Sequence, residues 1–121
     1  MSEEAFQQLF EHMAEGVAFC QMLFEQGRAQ DWIYLSVNKA FEELTGLKNV
    51  AGNRATEVIP GIREDDTGLF EAYARVSQTG KPEKFEIFVE SLQEWFSVSA
   101  YSPQKDYFVA VFDVITTHKM R

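Results

Sequence analysis

The feature that most restricts the fold lies near the end of the chain, where Tyr107-Phe108-Val109-Ala110-Val111-Phe112 runs without a charged or turn-forming residue. A strand made from this run is apolar on both faces, whereas a sheet wetted on one side alternates polar and apolar residues. In the run before it, Phe96, Val98 and Ala100 fall on one face and Trp95, Ser97, Ser99 and Tyr101 on the other. A sheet containing these segments needs cover on both sides.

The rest of the chain supplies helices for one side and a candidate for the other. Ser2 followed by Glu3 and Glu4 marks a helix start, with a capping hydroxyl and carboxylates at the positive end of the dipole. Phe6, Leu9, Phe10 and Met13 follow at i, i+3, i+4 and i+7, one apolar stripe ending near Met13. Beyond Gly16, Val17–Phe24 and Trp32–Val37 flank a Gln26-Gly27-Arg28 turn and predict an antiparallel hairpin. Asn38 is expected to cap a short helix, Lys39 to Thr45, closed by Gly46. Leu47 to Gly61 allows at most a single turn around Thr56-Glu57-Val58. A longer helix from Leu69 aligns Leu69, Phe70, Tyr73 and Val76 and stops at Thr79-Gly80-Lys81-Pro82. Strand-like runs at 84–90, 94–102 and 107–116 complete an α+β chain around a five-stranded antiparallel sheet. The helices between the second and third strands can cover one face. The other falls to the N-terminal helix, a partner chain, or both.

A length of 121 residues is one domain's worth. We divide it into an N-terminal helix (1–14), a core domain (15–116) and the start of a linker (117–121). With 45% hydrophobic and 25% charged residues the composition is globular. A net charge of −8 disfavours nucleic acid and anionic membrane surfaces as partners. One cysteine precludes an internal disulfide or a multi-cysteine zinc site. The acidic N-terminus is unlike a secretory signal, and no apolar run approaches the roughly 18 residues of a membrane span. The chain is expected to be cytoplasmic.

Four blocks in order, His12–Val17, Val37–Gly46, Trp95–Ser102 and Val111–Lys119, resemble the PAS sensory-box domains of bacterial signalling proteins. The resemblance runs from Leu9 to Lys119 and implies the sheet-and-helix layout above. It also implies Asn38 as a helix cap and a closing Asp-Ile-Thr motif that leads into a signalling helix. Here Val114 stands where that motif has Asp, and Asp113 lies one residue earlier, on the opposite face. The relay is therefore assigned to Asp113, Ile115 and Thr116, and the usual carboxylate link to the outgoing helix is in question. By resemblance the domain senses a small ligand, a cofactor-borne signal or a partner and reports to a histidine kinase, diguanylate cyclase or similar output domain.

Signatures of catalysis are lacking. There is no Gly-x-Ser-x-Gly elbow, Gly-Lys-Ser/Thr phosphate loop or Gly-x-Gly-x-x-Gly turn. His12, Cys20 and His118 have no ligand spacing for a metal. Glu64-Asp65-Asp66 reads as capping for the longer helix rather than as paired catalytic acids. Haem-binding PAS domains use a histidine on that helix, and flavin-binding light sensors an Asn-Cys-Arg motif ahead of it. Neither is present here, so no cofactor is predicted. Cys20, on the first strand, reads as a core thiol.

By parity and resemblance, a pocket for a small apolar molecule is expected among Cys20, Phe41, Leu44, Phe70, Tyr73, Phe96, Val98, Ala100, Phe108, Ala110 and Phe112, unless these residues simply fill the space. The opposite face is expected to receive Phe6, Leu9, Phe10 and Met13 against Trp95, Tyr101, Val109 and Val111, and to form a homodimer. Two other readings stay open: a cone-shaped enzyme or carrier lined by Tyr73, Tyr101 and Asp113, and a pure interaction domain without a ligand.

Overall fold

A computed structural model describes residues 2–65 and 68–119, with backbone alone at 118 and 119. Asp66 of the acidic cluster and the His118 side chain lie outside the described residues. Helix α1 (Glu3–His12) begins as its sequence predicts, with the Ser2 hydroxyl accepting from the Ala5 N–H at 3.1 Å. Strands β1 (Gly16–Glu25) and β2 (Arg28–Val37) are joined through Gln26 and Gly27, both at positive φ (53° and 77°). That turn matches the right-handed twist of paired strands. β2 starts ahead of its apolar run because the ladder continues through Phe24 opposite Ala29 and Glu25 opposite Arg28. Pairing overrides composition there.

Helix α2 (Lys39–Thr45) is capped by Asn38 and closed by Gly46 at φ 77°. A single turn, α3 (Ala55–Val58), and the longer α4 (Leu69–Thr79) follow. Then come β3 (Glu83–Val89), a 3₁₀ turn (Glu90–Leu92), β4 (Glu94–Tyr101), β5 (Tyr107–Val114) and α5 (Thr116–Lys119). Asp65 does not cap α4. Gly68, in the left-handed region, takes that position without a side-chain bond, and the Asp65 carboxylate accepts from the Ser91 N–H (3.1 Å) and hydroxyl (2.9 Å).

The antiparallel sheet has the order β2-β1-β5-β4-β3, so the last strand in sequence is the central one. This explains the unbroken apolar run: β5 has neighbours on both edges and a layer on both faces. Phe96, Val98, Ala100, Phe108, Ala110 and Phe112 share the inner face and form the main core with residues from α2 and α4. On the outer face Phe10 of α1 closes over Val17 and Val109, with Met13, Phe19 and Val111 packed around them. Val109 is 1% exposed.

The outer cover is narrower than expected. Trp95 and Tyr101 are not among the residues packed against α1: Trp95 lies against Phe88, with ring centroids 5.6 Å apart, and Tyr101 is exposed. The outer face of β4 tolerates water because Ser97 faces Glu86 on β3 and Asp113 on β5. Phe6, which stacks on Phe10, and Leu9 remain 46% and 55% exposed.

Asn38 ties these layers together. It is 1% exposed, and its Oδ1 accepts from the Val17 N–H (2.9 Å) and the Phe41 N–H (3.0 Å). Its Nδ2 donates to the carbonyls of Phe10 and Glu15, both at 3.0 Å. One amide thus joins α1, the start of β1 and the start of α2. At the surface, Arg75 of α4 donates two bonds of 2.9 Å to Glu83 of β3. Hydrogen bonding from Arg75 holds the Glu83 carboxyl below its ordinary range. The contribution of this pair is therefore present above the usual glutamate range and is lost as pH falls through the lowered value. The pair lies at the surface, with Arg75 exposed and Glu83 half-buried, so Glu83→Gln is expected to lower the urea midpoint at pH 7 only slightly. A large drop in that midpoint would show that the pair anchors α4.

Candidate functional site

Between the inner sheet face and the helices lies a cavity of about 60 Å³. A single water needs about 10–15 Å³ of such space, so there is room for only a few waters. The volume is far below the ~300–1,000 Å³ of drug-sized pockets. The aromatic side chains account for the small volume. Tyr73 stacks on Phe108 with centroids 4.3 Å apart, and Trp32 stands edge-on to Tyr73 at 5.1 Å and to Phe108 at 6.0 Å. Phe112 contacts Phe41 at 5.6 Å and Phe96 at 5.5 Å.

Of the residues expected at this site, Cys20, Phe41, Tyr73, Phe96, Val98, Phe108, Ala110 and Phe112 come together in the cavity wall. Leu44, Phe70 and Ala100 do not. Leu44 is half-buried at the core edge, and Ala100 is buried away from the cavity. Phe70 lies outside against Trp32 (4.9 Å), with the Arg63 guanidinium 5.6 Å from its ring. The sequence reading missed Trp32, Tyr34, Ile62, Ile87, Val89 and Leu92, all in the wall. Trp32 and Tyr34 stand opposite Met22 and Cys20, but register shifts between Leu23 and Phe24 and between Phe19 and Cys20 hide that pairing from a count along the hairpin.

No wall residue carries a charge. Burial pushes the Cys20 thiol and the Tyr34 and Tyr73 phenols up, so all three are neutral at pH 7. The Thr45 hydroxyl is committed, donating to the Phe41 carbonyl (2.7 Å) and accepting from the Leu47 N–H (3.1 Å). An ion entering here would lose its hydration and meet no counter-charge. The site suits a small neutral apolar molecule. Among the described residues no His, Cys, Asp and Glu cluster could hold a metal ion, and no helix is long and apolar enough to cross a membrane.

Two of the three expected relay residues, Ile115 and Thr116, bond the chain end to the start of β4. The exposed Asp113 carboxylate accepts from the next N–H of its own strand, Val114 (2.9 Å). At Thr116 the connection is made by the side chain. Its hydroxyl accepts from the Trp95 N–H (2.9 Å) and donates to the Glu94 carboxylate, while the Ile115 N–H donates to the Trp95 carbonyl (2.9 Å). Glu94 was not legible as a partner, since the residues are 22 apart in sequence. The cone-shaped alternative fails on geometry. Tyr73 lines the cavity, whereas Tyr101 and Asp113 lie exposed on the opposite sheet face.

Known proteins share this architecture. A domain of an HTR-like protein from Haloarcula marismortui superposes with a TM-score of 0.62 at 19% identity, covering 86% of this chain and 100% of that one. The PAS domain of a Colwellia psychrerythraea protein gives 0.58 at 16% identity, covering 94% and 97%. A Rhodobacter sphaeroides LOV protein gives 0.58 at 13% identity, covering 95% and 69%. These likenesses establish the fold. No curated protein matches the chain. The family model described as "PAS domain" matches residues 4–78, more than half of the sequence, and with the five-stranded sheet and its flanking helices this places the chain in the PAS domain family.

Proposed function

We propose that this PAS domain is a non-catalytic cytoplasmic sensor of a small, neutral, largely apolar molecule, and that it reports through α5 to an output domain such as a histidine kinase or diguanylate cyclase. PAS domains are generally sensory modules. The observation that carries the ligand class is the uncharged, aromatic cavity wall. The reading includes no flavin or haem, because the sole cysteine is a buried residue of β1 and α4 has no histidine. Native mass spectrometry of the purified protein with its absorption spectrum tests this. The expected result is no visible absorption and a retained neutral adduct or specific uptake of one. A visible chromophore or a bound anion overturns it.

The small volume favours a second reading, an interaction domain whose core simply closes. It predicts that no small apolar molecule raises the melting temperature. For self-association, the exposed Phe6 and Leu9 continue the apolar cluster around Phe10 and offer a surface for a second copy. The protein is expected to sediment at twice its monomer mass. Phe6→Ser with Leu9→Ser, which spare the buried Phe10, should return it to monomer. A dimer unaffected by both changes removes α1 from the interface.

A further inference from the structure

The cavity and the outgoing α5 are separated by very little chain at one place, the 3₁₀ turn Glu90–Leu92. Leu92 is in the cavity wall, together with Ile62 from the stretch that ends at Asp65. The same turn is held from outside by Asp65, which accepts two bonds from Ser91. Gln93 follows at φ 54°, ψ 40°, a left-handed conformation uncommon for a residue other than glycine. It is fixed there by its own N–H and side-chain amide, both donating to the Glu90 carbonyl (3.1 and 2.8 Å). The next residue, Glu94, accepts from Thr116, and Trp95 bonds both Thr116 and Ile115. One constrained residue therefore separates a cavity-wall side chain from the bonds that hold the first turn of α5.

We propose that this turn, rather than β5, transmits the state of the cavity to α5: a displacement of Leu92 re-aims Glu94 and loosens or tightens its hold on Thr116. The inference rests on the sensor reading above. The strand route is stiffer. β5 is paired along both edges, and its ladder with β4 extends to Val114 opposite Phe96. Coupling needs an element with two arrangements, and a turn at the end of the sheet is freer to supply one than a central strand.

Amide hydrogen exchange of the 121-residue chain, with no ligand added, tests the coupling. Leu92→Ala is expected to speed exchange of the Ile115 amide about fivefold while leaving the central Val109 amide unchanged. Thr116→Val removes the hydroxyl at nearly constant shape, and in that background the Leu92 change should add less than about twofold. Leu92→Val serves if the alanine variant does not fold. Equal acceleration of Ile115 and Val109, or full multiplication of the two effects in the double variant, overturns the proposal. Because no ligand enters this measurement, a cavity that binds nothing would defeat the sensor reading and leave the coupling to stand or fall by itself.

Discussion

Asn38→Ala is expected to lower the free energy of unfolding by about 3–5 kcal/mol, a large share of the ~5–15 kcal/mol of a typical domain. The loss has two parts. Removing a helix cap costs about 1 kcal/mol. The Val17 N–H and the carbonyls of Phe10 and Glu15 also lose their partner in a site that is 1% exposed, and each buried orphan costs roughly 1–3 kcal/mol before water relieves it. Urea unfolding followed by circular dichroism measures the sum. A loss below about 1 kcal/mol would mean that Asn38 acts as a cap and nothing more. Asn38→Asp separates the halves of the amide, because it keeps the acceptor for Phe41 and Val17 but removes the donor to Phe10 and Glu15. Amide protection should then fall in α1 and persist in α2.

Phe108→Ala is expected to cost a similar ~3–5 kcal/mol, the usual range for truncating a buried aromatic residue. Phe108 is 1% exposed and packs against both Trp32 and Tyr73. Its removal also enlarges the cavity, so the variant should bind benzene, as engineered apolar cavities of ~150 Å³ do. A ligand that binds only the folded state returns stability in proportion to RT ln(1 + [L]/Kd). Unfolding with and without benzene should therefore show a deficit that shrinks with ligand in the variant only. A deficit untouched by benzene would mean that the helices collapse into the vacated space.

Much of the fold could be read from the sequence because local patterns agreed with global needs. The Ser2 and Asn38 caps, the Gly46 and Gly80 stops and the stripe on α1 mark helix ends through hydrogen-bonding chemistry that acts within a few residues. The parity of β4 and β5 assigned the inner face correctly, from Phe96 to Phe112, because neither strand bears a bulge in that ladder. β2 was harder. A register shift opposite Phe19 and Cys20 breaks the alternation near Leu35, so counting from the C-terminal end of the strand puts Trp32 and Tyr34 on the wrong face. The hold on α5 was hidden because Glu94 and Thr116 meet only after two strands have paired. Nor could Asp65 be distinguished from a helix cap, since its partner Ser91 is 26 residues away. The reach of α1 depended on strand order. With β5 central, α1 needs to cover only β1 and β5, and Trp95 and Tyr101 lie beyond it.

The two tryptophans stand on opposite faces of the sheet, Trp32 in the cavity wall and Trp95 on the outer face beside Phe88. Their indole N–H resonances in a ¹H–¹⁵N spectrum, recorded under increasing xenon pressure, therefore report separately on the two layers. If the cavity accepts small apolar matter, the Trp32 resonance shifts and saturates while that of Trp95 stays in place. A Trp32 resonance that never moves, or one that drifts linearly together with Trp95, contradicts a binding cavity between sheet and helices.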